Sequence, residues 1–124
     1  MPAVAVRRGD IFWVDLSGAT GSEINHKVRP AVVIQNDVGN RYSLTTIVAP
    51  LSGSVRGKVY PIEVRLDSSD VSVSTGDTGL QKASKVKLEQ IRTVDKTRLR
   101  ARIGKVIPKK MVEIDKAIRI SLSV

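Results

Sequence analysis

The sequence predicts a single small domain that is mainly β, a twisted sheet or partly open barrel, with one α-helix at its C-terminus. Two patterns predict this class. Short apolar and β-branched runs alternate with turn-forming residues and polar loops. After Pro108, apolar residues instead recur every three or four positions, the spacing of one helix face. A chain of 124 residues suits one domain with a real core.

The N-terminal part is expected to contain one strand and one long loop. Residues 1–8 are expected to be a loose terminus, followed by a strand at Ile11–Leu16 that is rich in aromatic and β-branched residues. One of the neighbouring rings, Phe12 or Trp13, should anchor the core and the other should lie at the surface. The sequence pattern assigns neither role to a particular ring. Residues 17–27 are rich in Gly, Ser, Thr and Asn, and predict an exposed loop.

The stretch VRPAVVIQND is expected to supply the central strand, at Pro30–Gln35. Proline favours an extended conformation in the residue before it, so Arg29 should lie at the mouth of this strand. An arginine in that place is either a well-positioned charge or a side chain that covers a sheet edge with its stem. Residues 36–40 read as a turn. Thr45–Leu51 is the next strand, and Pro50 favours a sheet edge or bulge near its end.

The following segments alternate in the manner of half-buried strands. Val59–Leu66 and Leu80–Leu88 each place apolar residues on one face, and the polar stretch 67–79 between them has room for a short strand at Val71 and Val73. The alternation directs four charged side chains outward: Glu63, Arg65, Lys85 and Lys87.

The C-terminal third predicts a further extended segment, a helical turn, a strand and a helix. These are residues 89–94, 95–99, 100–107 and 108–122, and the strand should place Ala101 and Ile103 on one face and Arg100 and Arg102 on the other. Pro108 stands where proline favours the first turn of a helix. The apolar face of this amphipathic helix is predicted to consist of Met111, Ile114, Ile118 and Leu122.

The positive charge is concentrated in one block. Residues 82–110 hold eleven basic and two acidic side chains, a net charge of +9 that equals the charge of the whole chain. Such a block favours a polyanionic partner, nucleic acid first, although a solvated basic face or an acidic protein partner would also fit.

Several classes of chemistry have little support. The chain has no cysteine and a single histidine, and its carboxylates are not clustered at ligand spacing, so we expect no metal or cofactor. One histidine also excludes a paired-histidine ribonuclease. No apolar run approaches the roughly 20 residues of a membrane span. The N-terminus lacks the charge order of a secretory signal, so no membrane association is expected and a cytoplasmic location is.

The remaining groups suit RNA cleavage without metal, in which the 2′-OH attacks its own phosphate. Arginine presents a rigid fork of donors that matches phosphate oxygens. It scarcely deprotonates, so another group must act as base. Glu23 and His26, in the loop next to Arg29, are the candidates by sequence proximity.

Six segments in this order and spacing resemble the MazF/PemK/Kid family of toxin–antitoxin ribonucleases: RRGDIFWVDLS, GSE, VRPAVVIQND, GNR, TTIVAPLS and LEQIRTVD. The likeness extends from about residue 8 to about residue 122. It implies a toxin with an SH3-like, partly open barrel of the MazF/Kid/CcdB type that forms a homodimer. It also implies sequence-specific, metal-independent cleavage of single-stranded RNA to 2′,3′-cyclic phosphate and 5′-hydroxyl ends. Neutralisation by an acidic, MazE-like antitoxin follows from the same resemblance.

The resemblance also implies roles for individual residues. Arg29 stands at the family's catalytic arginine. Ser52 stands at its catalytic threonine, where it keeps the hydroxyl but loses the methyl group that restricts the rotamer. Glu23 of GSE matches an acidic loop residue near the RNA and is the third catalytic candidate. Further RNA contacts are expected from Phe12, His26, Lys27, Asn36, Arg56 and Gln90. For Gln90, capping of backbone groups at a strand end fits equally well.

Two other functions fit the same sequence. A toxin of this fold can bind and inhibit a protein target such as DNA gyrase without cutting RNA. A plain nucleic-acid-binding module of the SH3-like class is the third possibility. Arg29 and the hydroxyl of Ser52 favour the ribonuclease.

Overall fold

The computed structural model describes residues 5–18, 20–23 and 28–124. This part of the chain forms eight strands and two α-helices, joined by loops and three short 3₁₀ turns. In chain order the elements are β1 (Asp10–Asp15), β2 (Val28–Val33), α1 (Asp37–Tyr42), β3 (Thr45–Ser52), β4 (Glu63–Leu66), β5 (Val71–Ser72), β6 (Ser84–Lys87), β7 (Arg92–Asp95), β8 (Leu99–Val106) and α2 (Pro108–Leu122).

The strands form one antiparallel, curled half-barrel sheet in the order β4-β6-β3-β2-β1-β8-β5. Strand β3 is its hub. It pairs with β2 through Val48–Pro50, with β7 through Thr45–Val48 and with β6 through Leu51–Ser52. The predicted class, mainly β with a C-terminal helix in a partly open barrel, is confirmed.

The central strands are buried on both faces. Successive side chains of a strand point to opposite sides, so neighbouring residues enter different apolar clusters. Ile11 and Val32 belong to the larger apolar cluster, on the side where α2 packs. Phe12 and Ala31 belong to a second cluster on the other side. Double burial explains why these segments read as continuous apolar runs. Among the described residues, no helix is long and apolar enough to cross a membrane.

Helix α2 has the predicted bounds but not quite the predicted apolar face. Ile114 and Ala117 are buried in the larger cluster, and Met111 and Ile118 pack against it. Leu122 is 50% exposed, so the prediction that it docks is wrong. It lies in the last turn, next to Ser123, whose left-handed backbone conformation ends the helix.

Residues 36–40 start a helix, where a turn was predicted. The Asn36 side chain accepts a hydrogen bond from the Gly39 amide at 2.9 Å, which caps α1. Asp37 in the first turn accepts from the amide of Arg8 at 2.7 Å. Asn followed by Asp is as typical of a helix N-terminus as of a turn.

The prediction of a loose N-terminus is wrong for residues 5–8. Val6 is buried, and the Arg8 guanidinium contacts Asp115 of α2 at 2.7 Å. Arg8 Nε also donates to the carbonyl of Ile34 at 2.8 Å. Arg8 therefore ties the segment before β1 to both β2 and α2.

The alternation predicted in the second half holds, but two of the outward charges do not face solvent. Glu63 and Lys85 are buried because the loop after β3 covers them. Lys85 Nζ donates to the carbonyls of Arg56 and Lys58 at 3.3 and 2.9 Å. Glu63 accepts from the amide of Tyr60 at 3.0 Å. This turn at residues 60–63 is also why β4 starts at Glu63 and not at residue 59.

Strand β8 contains a bulge that the sequence pattern did not reveal. Its pairing with β1 jumps from Phe12 opposite Arg102 to Val14 opposite Leu99. The extra residue interrupts the alternation. Ala101 is therefore exposed while Ile103 is buried, so the prediction that the two side chains share one face is wrong.

We predict that Glu63→Gln destabilises the fold by roughly 3 kcal/mol at pH 7, because it leaves the buried Lys85 without its anion. Burial raises the pKa of Glu63, but hydrogen bonds from Lys87 and the Tyr60 amide outweigh burial and lower it on balance. A lowered carboxyl pKa stabilises the fold above the ordinary value of about 4.5, and this contribution is lost as the pH falls. Urea unfolding at pH 7 and at lower pH tests this.

The matched control is Glu113→Gln on the exposed side of α2, where Glu113 contacts Lys110 at 3.2 Å. Glu113 is exposed and Lys110 is half-buried, so the control should change the free energy of unfolding by less than about 1 kcal/mol. Equal destabilisation by the two variants, or a Glu63→Gln effect that does not shrink in acid, would contradict the assignment.

Candidate active site

A cleft of about 540 Å³ opens at the start of β2 and the end of β3. Leu51, Leu80 and Ile103 of the larger apolar cluster line it. The other lining residues are Trp13, Val28, Arg29, Pro30, Ser52, Gly53, Ser54, Gly79, Gln81, Lys82 and Ser84. An apolar wall with a few convergent polar groups is the usual make-up of a binding site.

Arg29 lies in this cleft because β2 and β3 are paired in a fixed register. This pairing ends at Ala31 opposite Pro50, two residues away from Arg29 on β2 and from Ser52 on β3. Beyond it, the Arg29 guanidinium bonds the carbonyl of Leu51, the residue before Ser52, and both side chains line the cleft. The structure therefore places the first two catalytic candidates in one cleft.

The Arg29 guanidinium is held on one side only. Its Nη1 donates to the carbonyl of Leu51 at 3.1 Å. Its Nε is buried and has no hydrogen-bond partner among the described residues. Nε and Nη2 together form the edge that binds two oxygens of a phosphate side-on. A buried donor without a partner costs about 1–3 kcal/mol, which is unusual outside functional sites.

Ser52 lacks the methyl group of threonine that restricts the rotamer, but a hydrogen bond from the backbone restrains its hydroxyl. Its Oγ accepts from the amide of Ser54 at 3.3 Å. A serine hydroxyl that accepts one bond still has its proton to donate. The local turn thus restrains the hydroxyl and leaves it able to donate to a ligand in the cleft.

Glu23 and Gln90 line a second cleft of about 580 Å³, together with Leu16, Pro50 and Arg92. The two linings share no residue. Pro50 lines the second cleft, whereas the next two residues of β3, Leu51 and Ser52, line the first. The structure does not bring Glu23 to Arg29 and Ser52.

The two neighbouring aromatic residues of β1 have opposite roles. Phe12 is 3% exposed and packs in the second apolar cluster, so the prediction that it contacts RNA is wrong. Trp13 is partly buried and lines the cleft. The alternation of β1 fixed this division, but the sequence did not show which face led to the cleft.

The remaining predicted contacts lie elsewhere. Arg29 and Val33 are about 13 Å apart at ~3.3 Å per residue, and Asn36 lies beyond Val33, where it caps α1. The structure therefore does not bring Asn36 to the cleft. Arg56 is exposed in the loop after β3. His26 and Lys27 lie outside the described residues.

Most of the basic block serves the fold itself. Six of its eleven basic side chains form ion pairs with carboxylates: Lys85, Lys87, Arg98, Arg100, Arg102 and Lys110. The one member that lines the first cleft is Lys82. The sequence did not distinguish Lys82 from the other cations of the block, because only the fold brings it beside Ser52.

Arginines of the block also hold the start of the loop at residues 17–27. Arg92 donates to the carbonyls of Leu16 and Ser17 at 2.8 and 3.1 Å. A hydrogen bond from the Ser17 amide, aided by Arg98 and Arg100, lowers the pKa of Asp15. Within the described ranges, no three His, Asp or Glu side chains are grouped closely enough to hold a metal ion.

Comparison with known proteins identifies one family, through a family model and through a similar sequence. A family model described as PemK-like, MazF-like toxin of type II toxin–antitoxin system matches residues 7–122. The endoribonuclease MazF of Staphylococcus saprophyticus is 44% identical over 117 residues, which are 94% of this chain and 91% of that protein.

Solved structures match the fold over nearly the full length. MazF from Deinococcus radiodurans matches with a TM-score of 0.73 at 18% identity, covering 97% of this chain and 98% of that one. An endoribonuclease in complex with its cognate antitoxin, from a mycobacterial species, matches with a TM-score of 0.70 at 21% identity and 97% coverage of both chains. At these identities the likeness supports the fold.

We predict that an uncleavable single-stranded RNA analogue changes the fluorescence of Trp13, the only tryptophan of the chain, because the indole lines the cleft and can stack on a base. A fluorescence titration, with anisotropy of labelled RNA in parallel, measures this. The control, Phe12→Leu, should lower the free energy of unfolding and leave the fluorescence change in place. Saturable binding by anisotropy without any change in Trp13 emission would contradict the placement of the cleft.

Proposed function

The chain belongs to the PemK-like, MazF-like family of type II toxin–antitoxin toxins, and we propose that it acts as an endoribonuclease centred on Arg29. The identity of 44% to an endoribonuclease over most of both chains supports the activity. The observation that carries the site is that Arg29 and Ser52 line one cleft, with a buried Nε on the arginine that has no hydrogen-bond partner among the described residues.

The proposed reaction is an internal transfer of the phosphodiester. The 2′ oxygen forms a bond to phosphorus while the bond from phosphorus to the 5′ oxygen breaks. The products are a 2′,3′-cyclic phosphate and a 5′-hydroxyl. The phosphate gains negative charge on the way, so a cation aimed at its oxygens stabilises the transition state more than the substrate.

In this proposal Arg29 and Ser52 act directly on the phosphate. The Nε–Nη2 edge of Arg29 binds two of its oxygens, while Nη1 stays on the Leu51 carbonyl and fixes the plane of the guanidinium. Ser52 donates its proton to the same group while the Ser54 amide holds its oxygen. We therefore expect serine to replace the family's threonine without loss of activity.

Two protons must move in this reaction, one from the 2′-OH and one to the 5′ oxygen. Glu23 and His26 are the proposed carriers. Glu23 lines the second cleft, so its direct participation requires the loop at 17–27 to approach the first. Otherwise its role is to hold that loop.

The partners follow from the same proposal. The substrate is single-stranded RNA, whose unstacked bases can reach Trp13 in the cleft. We further propose an acidic antitoxin as the inhibitor, a homodimer as the active form and the cytoplasm as the place of action. A mycobacterial endoribonuclease of similar fold binds its cognate antitoxin.

Arg29→Ala should lower the rate of RNA cleavage about 10²–10³-fold. Arg29→Lys should recover only part of the rate, because an ammonium keeps the charge but loses the fork. The measurement is cleavage of a long single-stranded RNA in EDTA, with the cut sites and the chemistry of the ends determined. Arg41→Ala is the control, because Arg41 is an exposed arginine on α1, away from the cleft.

Wild-type protein that leaves RNA of many sequences intact would overturn the proposal. Inhibition of DNA gyrase in a parallel assay would then assign the chain to the non-cleaving toxins of this fold.

A further inference from the structure

Lys82 rests directly on the turn that follows Ser52. A Cβ atom built on Gly53 would lie 2.8 Å from Lys82 Nζ and 2.9 Å from its Cε. These distances are closer than normal contacts, so the ammonium occupies the space that a side chain at position 53 would fill. Gly53 has no such side chain, and Lys82 can therefore lie against the backbone next to the Ser52 hydroxyl.

Arg29 and Lys82 approach Ser52 from its two neighbours in sequence. Arg29 Nη1 bonds the carbonyl of Leu51, and Lys82 Nζ lies over Gly53. Both side chains line the same cleft as Ser52. A phosphate that accepts a hydrogen bond from Ser52 would therefore lie close to both cations.

The charge of Lys82 is not used by the fold. Among the described residues, ion pairs engage six other members of the basic block, and Lys82 is in none of them. The side chain is exposed, so no buried partner constrains it. Its neighbours Gln81 and Ser84 bond backbone carbonyls of their own loop.

No carboxylate lies among the residues that line this cleft in the described part of the chain. Two cations without a counter-anion suit a ligand that carries more than one negative charge. The phosphodiester of RNA has one negative charge in the ground state and close to two at the transition state. The second cation therefore favours the transition state over the bound substrate.

We infer that Lys82 is a second cationic ligand of the reacting phosphate, beside Arg29 and Ser52, and so a further catalytic residue. The inference rests on the endoribonuclease function proposed above. It differs from general attraction of RNA by the basic block, which would strengthen binding without changing the rate of the bound complex.

The test is single-turnover cleavage with the protein in saturating excess over RNA, beside a separate titration of binding. Lys82→Gln should slow the rate at saturation about 10- to 100-fold, less than loss of a buried donor. The salt dependence of binding is the slope of the logarithm of the binding constant against the logarithm of the salt concentration. Lys82→Gln should change this slope by only about 0.7, the contribution of one phosphate contact on a single strand. Lys82→Arg should restore most of the rate.

Gly53→Ala moves the ammonium without removing its charge. The added methyl group displaces the flexible end of Lys82, and we expect a loss of rate smaller than that of Lys82→Gln. In the double variant, Gly53→Ala should add little to Lys82→Gln, since the ammonium is already gone. Lys109→Gln is the matched control, because Lys109 is an exposed lysine of the same block on α2, and it should cleave at the wild-type rate.

The outcomes separate this inference from the proposed function. If wild-type protein cuts RNA and Lys82→Gln cuts equally fast at saturation, the inference is wrong and the function stands. Weaker binding with an unchanged saturated rate also overturns it, because Lys82 then only attracts RNA. A wild-type protein that does not cut RNA overturns both. Equal melting temperatures of the variants exclude a folding defect as the cause of a lost rate.

Discussion

The antiparallel pairing of β2 with β3 is the constraint on which the site depends. These strands are buried on both faces and pair in one register, so neither can slip without moving apolar side chains out of both clusters. Arg29 stands at the open end of one strand and Ser52 at the end of the other. The rigidity of the core is thus passed to two polar side chains at its rim, which is what a preorganised electrostatic site requires.

The ion pairs around this core divide the basic block between two tasks. Six of its eleven cations pair with carboxylates. Two of these carboxylates are buried, Glu63 beside Lys85 and Asp10 beside Arg102. Lys85 also bonds the carbonyls of the loop that begins after Ser52. The charge needed for the fold therefore supports the geometry of the cleft, while Lys82 is left facing the cleft itself.

The strands could be predicted because alternation and double burial leave recognisable patterns of apolar residues. A site residue could be predicted where the neighbouring sequence determines its conformation. Pro30 favours an extended conformation of Arg29, which predicted the arginine at the end of a strand. The failures have physical reasons. A bulge in β8 broke the alternation at Ala101, and a covering loop buried Glu63 and Lys85. The places of Phe12, Trp13 and Lys82 depend on which face of the sheet meets the cleft, and no local rule contains that information.

In the proposed mechanism the Arg29 guanidinium binds the phosphate that reacts. The ¹⁵N–¹H signal of Arg29 Nε reports this contact during titration with RNA that lacks the 2′-OH at the cut site and cannot be cleaved. We expect a large shift and slowed solvent exchange at Arg29, since the group gains a phosphate partner, with no change at Arg41. A saturated complex in which the Arg29 signal is unchanged would contradict it.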